Sequence, residues 1–138
     1  MIIDFSSHII TREVETKLFS MEKFRRIKAN FETKSSDPEN RLKLMDKYGI
    51  NKQVLTQSTP VLEGLIASEA SEICRISNDV IGKLCREYPD RFIPFAVVSL
   101  LDVKTAVNEL DRAVNQWGCV GVTVGTNDGG KGLDHPEN

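Results

Sequence analysis

Apolar residues gather along the chain in short runs separated by longer stretches of helical periodicity. The opening Met1-Ile2-Ile3-Asp4-Phe5 predicts a buried strand over residues 2–5 that ends at Ser6-Ser7-His8. A second strand falls on residues 54–56, where Val54 and Leu55 form the apolar pair. Phe92-Ile93-Pro94-Phe95-Ala96-Val97-Val98 is a nearly continuous apolar run of strand length, as in a parallel strand covered on both faces. Pro94 must then lie near its start. Residues 119–124 supply a fourth strand.

The intervening segments read as helices. Residues 12–31 are charge-rich, with Val14, Leu18, Met21, Arg25 and Ile27 near helical spacing and no Gly or Pro. They predict a helical excursion at about 12–34 with a solvated face rather than core, the alternative being an excursion that covers a barrel mouth or packs on another subunit. Asp37 reads as an N-cap with Pro38 at the first helical position; Leu42, Met45 and Tyr48 form the apolar side and Gly49 the C-cap. After Pro60, Ile66, Ala70, Ile73, Cys74, Ser77, Val80, Ile81, Leu84, Cys85 and Tyr88 recur at three- and four-residue steps, one stripe along about six turns, closed by Pro89. Asp102 caps a last helix with Val103, Ala106, Val107, Leu110, Ala113, Val114 and Trp117 on its core side, and Gly118 ends it. The Gly-, Asn- and Asp-rich residues 125–138 carry no further element.

Strands alternating with helices imply right-handed parallel crossovers. Two α/β architectures satisfy this pattern: an open doubly wound sheet, and four strands of an eight-stranded barrel. No G-x-G-x-x-G follows the first strand, which weakens the dinucleotide-binding form of the open sheet.

Composition narrows the function. A net charge of −2 with 28% charged residues gives no electrostatic footprint for nucleic acid. No apolar run approaches the roughly 20 residues that span a bilayer, and the first residues lack a basic segment followed by an apolar one, so a cytoplasmic location is expected. Cys74, Cys85 and Cys119 form no C-x-x-C pair and read as reduced, buried small hydrophobes. The Gly-Lys pair within Gly129-Gly130-Lys131-Gly132 lacks both Walker spacing and a following helix.

Ile3-Asp4-Phe5-Ser6-Ser7-His8-Ile9-Ile10 resembles the opening of amidohydrolase-related enzymes, whose first strand ends in Asp-x-His-x-His. Further stretches follow in order: Arg41 through Ile50 with Met45-Asp46 and Gly49-Ile50, then Asn78-Asp79, then Tyr88-Pro89-Asp90-Arg91-Phe92. The last are Gly118 through Asn127 and Gly132-Leu133-Asp134-His135-Pro136. The chain is similar over nearly its whole length to the branch containing aminocarboxymuconate-semialdehyde decarboxylase, related aromatic-acid decarboxylases, hydrolases and hydratases. This resemblance implies the N-terminal half of a (β/α)8 barrel, with four parallel strands and three crossover helices forming one partial domain over residues 1–138. Its site would lie at the C-terminal ends of the strands.

The resemblance also implies a divalent metal, zinc or manganese, in the parent family, there polarising a substrate oxygen or activating water. His8 is the expected metal ligand. Two imidazoles two residues apart on a strand reach one ion, but here Ser6 occupies the first His position. Catalytic zinc normally takes three protein ligands, so this chain is expected to bind metal poorly or not at all. Asp4 is either an orienting group or a local strand-end partner. Thr56 and Ser58 after the second strand, and Thr126 and Asn127 after the fourth, are the expected contacts to a small carboxylated or cyclic substrate. Two function classes stay open: part of a metal-dependent hydrolase or carboxy-lyase, and a non-catalytic truncated or split-barrel protein acting through association. Self-association or docking of a complementary barrel half is the expected partnership, because cutting a barrel leaves strand edges unpaired.

Overall fold

The computed structural model describes residues 1–24 and 37–136. Its four-stranded sheet runs β1 (Ile3–Ile9), β2 (Lys52–Gln57), β3 (Phe92–Val97), β4 (Gly121–Thr123), in that spatial order and with every pairing parallel. Each crossover carries a helix: α2 (Pro38–Tyr48), α3 (Ala67–Glu87) and α4 (Val103–Trp117). An additional helix, α1 (Arg12–Ser20), follows β1 directly.

The caps read from sequence are in place. The Asp37 carboxylate accepts from the Glu39 and Asn40 amides ahead of Pro38, and Gly49 closes α2 at φ 68°. Asp102 accepts from the Thr105 amide, and Gly118 closes α4 at φ 70°. These left-handed closures favour glycine, which has no Cβ to clash.

The helix layer covers one face of the sheet. Ile9 and Leu55 pack with Met45 of α2 and with Ile81 and Leu84 of α3, and Ala96 packs with Ala113 of α4. Asn78 of α3 is fully buried and stands in for a strand neighbour: its amide donates to the Val97 carbonyl at 3.0 Å and accepts from the Val97 N–H at 2.8 Å. Satisfying both groups lets β3 leave the sheet without orphaned backbone.

Three expectations need correction. The first strand does not stop at Phe5 but continues through Ser6-Ser7-His8 to Ile9; the polar triplet alternates around a buried Ser7 as a half-covered strand does. The excursion after it is not outside the core. Val14 and Leu18 of α1 are buried with Leu62, Leu65, Ile73 and Val97, so α1 caps one end of the sheet. Arg25, Ile27 and the remaining reach of that excursion, residues 25–36, lie outside the described residues. Finally, the glycine-rich tail holds a small hairpin of β5 (Asn127–Asp128) and β6 (Lys131–Gly132). Gly129 and Gly130, at φ 59° and 83°, form its two-residue turn; consecutive positive φ values are what such a turn requires.

Candidate active site

β1 acquires its shape from one extra residue. Asp4 pairs with Gln53 and Ser7 with Leu55, so three steps along β1 match two along β2. A bulge of this kind re-aims the side chains on either side of it. Asp4 and Ser7 both turn to the helix layer, where the Ser7 hydroxyl donates to the Asp4 carboxylate at 2.5 Å. The Gln53 amide donates to the same carboxylate at 3.0 Å. The Ser7 bond above all, with Gln53, the Ser6 amide and nearby Arg41, holds the Asp4 carboxyl below its usual range, partly offset by burial.

His8 stands on the opposite face, partnered in register with Thr56. This face is concave. The Phe5 and Phe95 rings meet edge-to-face with centroids 5.3 Å apart across β2, and the Thr56 and Thr123 hydroxyls meet at 2.8 Å across β3. Side chains of alternate strands touch only when the sheet curls toward them, and layers built from alternate strands are how barrel interiors fill. Gly121 belongs to this packing, since a Cβ there would enter the Phe95 ring.

His8 and Ser6 are exposed on this face, on either side of buried Ser7. Thr56 is buried and bonded to Thr123. Half-buried Ser58 turns the chain after β2, its carbonyl accepting from the Val61 amide at 3.3 Å. Thr126 and Asn127 sit apart from this group, lining a cleft of about 320 Å³ with Leu62, Leu65, Leu101 and the glycines of the hairpin. That cleft is held by Asp128, whose carboxylate accepts from the Ser99 hydroxyl at 2.6 Å and the Leu100 amide at 2.7 Å. The expected site residues thus occupy two neighbourhoods at one end of the sheet: an imidazole with hydroxyls on the concave face, and a loop cleft beyond β4.

As a metal site the concave face is incomplete. Among the described residues no group of three or more His, Cys, Asp or Glu is placed to hold an ion. One imidazole and neighbouring hydroxyls do not fit a catalytic ion that takes three strong protein donors. Cys74, Cys85 and Cys119 are buried and unpaired with one another, and burial foremost pushes their thiols up to about 12, 12 and 11, which makes them packing groups.

Three contributors escaped the sequence reading. Thr123 was read only as part of a strand. Gln53 and Arg41 form a chain behind β1: the Arg41 guanidinium donates to Gln53 Oε1 at 3.1 Å and to the His8 carbonyl at 3.0 Å. The available signal was helical phase, because Arg41 lies four residues before buried Met45 and so faces the sheet.

Comparisons with known proteins place this arrangement. A family model described as amidohydrolase matches residues 3–138. Gamma-resorcylate decarboxylase of Rhizobium radiobacter is 41% identical over 87 residues, covering 62% of this chain and 27% of that protein. The 2-amino-3-carboxymuconate-6-semialdehyde decarboxylase of Dictyostelium discoideum is 30% identical over 102 residues, 72% of this chain and 28% of that protein. Among solved structures, a dihydroxybenzoic acid decarboxylase from Polaromonas, with bound manganese and the inhibitor 2-nitroresorcinol, superposes with a TM-score of 0.71 at 28% identity. The match covers 88% of this chain and 37% of that one. The chain therefore spans between about a quarter and two fifths of the length of these relatives.

Proposed function

The chain belongs to the amidohydrolase family, and from that premise we propose that it forms the strand-one-to-four half of a divalent-metal decarboxylase acting on a small carboxylated ring. Its kinship with decarboxylases of the amidohydrolase fold favours the carboxy-lyase branch over hydrolysis. The observation that carries the reading is His8, standing on the concave face beside Thr56 at the end of the sheet where barrel enzymes keep their chemistry. His8 supplies one nitrogen donor, and Ser6 in the companion position supplies at most a hydroxyl. Ser58, Thr126 and Asn127 form the substrate-facing rim, and the remaining metal donors come from strands outside these residues. Manganese is the metal of the Polaromonas relative and is the ion to test first; zinc is the alternative.

A second reading is favoured by Ser6 and by the incomplete donor set among the described residues. In it the chain is a non-catalytic partner that works by association with a second copy or with a complementary barrel half. One experiment separates the two. The chain is assayed for decarboxylation of gamma-resorcylate with added manganese, alone and co-expressed with the part of the Rhizobium radiobacter relative that lies beyond the matched segment. No turnover alone, and turnover in the pair that His8→Ala abolishes, supports the enzyme reading. A stable pair without turnover supports the association reading.

A further inference from the structure

The bulge in β1 leaves Phe5 and Ser6 without a partner in the ladder to β2. Pairing is interrupted over these two residues and resumes at Ser7, His8 and Ile9. A one-residue slip of the segment after the bulge, which would remove the bulge, would exchange faces, putting Ser7 opposite Thr56 on the concave side and His8 into the helix layer. Beside the ladder from Ser7 to Ile9 and the burial of Ile9 in the core, a polar chain behind the sheet opposes that slip. At the N-terminal side of the bulge, Asp4 accepts from the Ser7 hydroxyl, from the Gln53 amide and, at 3.4 Å, from the Ser6 amide. Gln53 passes the connection to Arg41 of α2, and Arg41 reaches round to the His8 carbonyl at the C-terminal side. The bulge is thus gripped at both ends by one network anchored on α2.

We propose that Arg41 is a positioning residue for His8: through the His8 carbonyl and through Gln53 and Asp4 it fixes the register that presents the imidazole on the concave face. This deepens the reading of His8 as a donor and rests on it. The physical basis is the planar fork of the guanidinium, which donates to two acceptors at fixed angles, where an ammonium would be a single point charge. Arg41 is half-buried and its bond to Gln53 is partly shielded, so that bond is less readily replaced by water than one at an open surface.

The test uses the full chain, isotopically labelled, as the parent and as Arg41→Met, Arg41→Lys and Gln53→Leu. In the parent, the His8 ring gives one set of signals with a nuclear Overhauser contact to the Thr56 methyl. Arg41→Met is expected to split or abolish that contact and to speed amide exchange at Ser7, His8 and Ile9 by about tenfold, while residues 92–97 exchange as before. Arg41→Lys and Gln53→Leu each give a partial effect at the same residues. If Arg41→Met does not fold, the two milder variants decide on the same signals. An unchanged His8–Thr56 contact with unchanged exchange, or acceleration spread evenly over the sheet, overturns the proposal. Manganese broadening of the His8 ring in the parent probes the donor reading separately; its absence removes that reading and leaves the positioning result standing.

Discussion

The hydroxyls of Thr56 and Thr123 share a hydrogen bond across the strand that lies between them. Thr56 is buried, so removing one partner strands the other in a poorly solvated layer. Thr56→Val and Thr123→Val are each expected to cost about 1–2 kcal/mol, and the double variant less than their sum by about 0.5–1.5 kcal/mol. Urea unfolding of the four proteins measures this coupling. Strict additivity would mean that the sheet is not curled tightly enough for its alternate strands to touch.

Gly82 sits in the middle of α3 against the indole of Trp117. Helix propensity alone predicts that Gly82→Ala stabilises by about 1 kcal/mol. A Cβ at that position would lie inside the van der Waals envelope of the Trp117 ring. That ring cannot yield freely: its Nε1–H donates to Asp79 at 2.8 Å and Arg86 stacks 4.6 Å from its centre. The net effect is expected to be a loss of about 1–3 kcal/mol. Thermal melts check the sign, and Trp117→Leu in the same chain should relieve the loss.

Strand and helix order was readable because alternating apolar runs and amphipathic stripes force parallel crossovers, and because Asp37, Gly49, Asp102 and Gly118 mark helix ends by local chemistry. The bulge at Asp4 was not readable. It depends on Gln53 and Arg41, which are about forty to fifty residues away in sequence. The same holds for the core role of α1: Val14 and Leu18 look like two apolar residues on a charged helix until Leu62, Leu65 and Val97 are brought against them. Of the candidate site, the family context of His8 was legible from the end of the first strand. The separation of Thr56 from Thr126 and Asn127 was not, since it follows from how the loop after β4 folds on Asp128.

Glu15 of α1 is buried beside that core, and its Oε1 has no hydrogen-bond partner among the described residues. Desolvation foremost raises its carboxyl above the ordinary 4.5, with Arg12 partly opposing. A carboxyl raised in the folded state favours folding while protonated. That contribution is fully present below the unfolded value and is lost as pH rises through the folded one. Glu15→Gln is therefore expected to stabilise the chain at pH 7 by about 1 kcal/mol and to do little at pH 4. Denaturant titrations of parent and variant at both pH values test this, and an equal effect at both would refute the sign.

The open edges of the sheet set the last expectation. Among the described residues β1 and β4 each pair on one side only, and both carry exposed apolar side chains: Ile3 and Phe5 on one, Val122 on the other with Val120 just before it. α4 adds exposed Val107 and Val114. An unpaired parallel strand with apolar neighbours is a template for another chain. At about 25 cal/mol per Å², covering a few hundred Å² of this surface is worth several kcal/mol, comparable with the stability of a whole domain. The isolated chain is expected to self-associate at tens of micromolar, by the order-of-magnitude relation between such energies and dissociation constants. Sedimentation checks the mass, and replacing Val122 and Phe5 with Lys should shift it toward monomer by placing charge on both edges. A parent that sediments as a monomer, melts sharply and binds no hydrophobic dye would show that the four strands are self-sufficient.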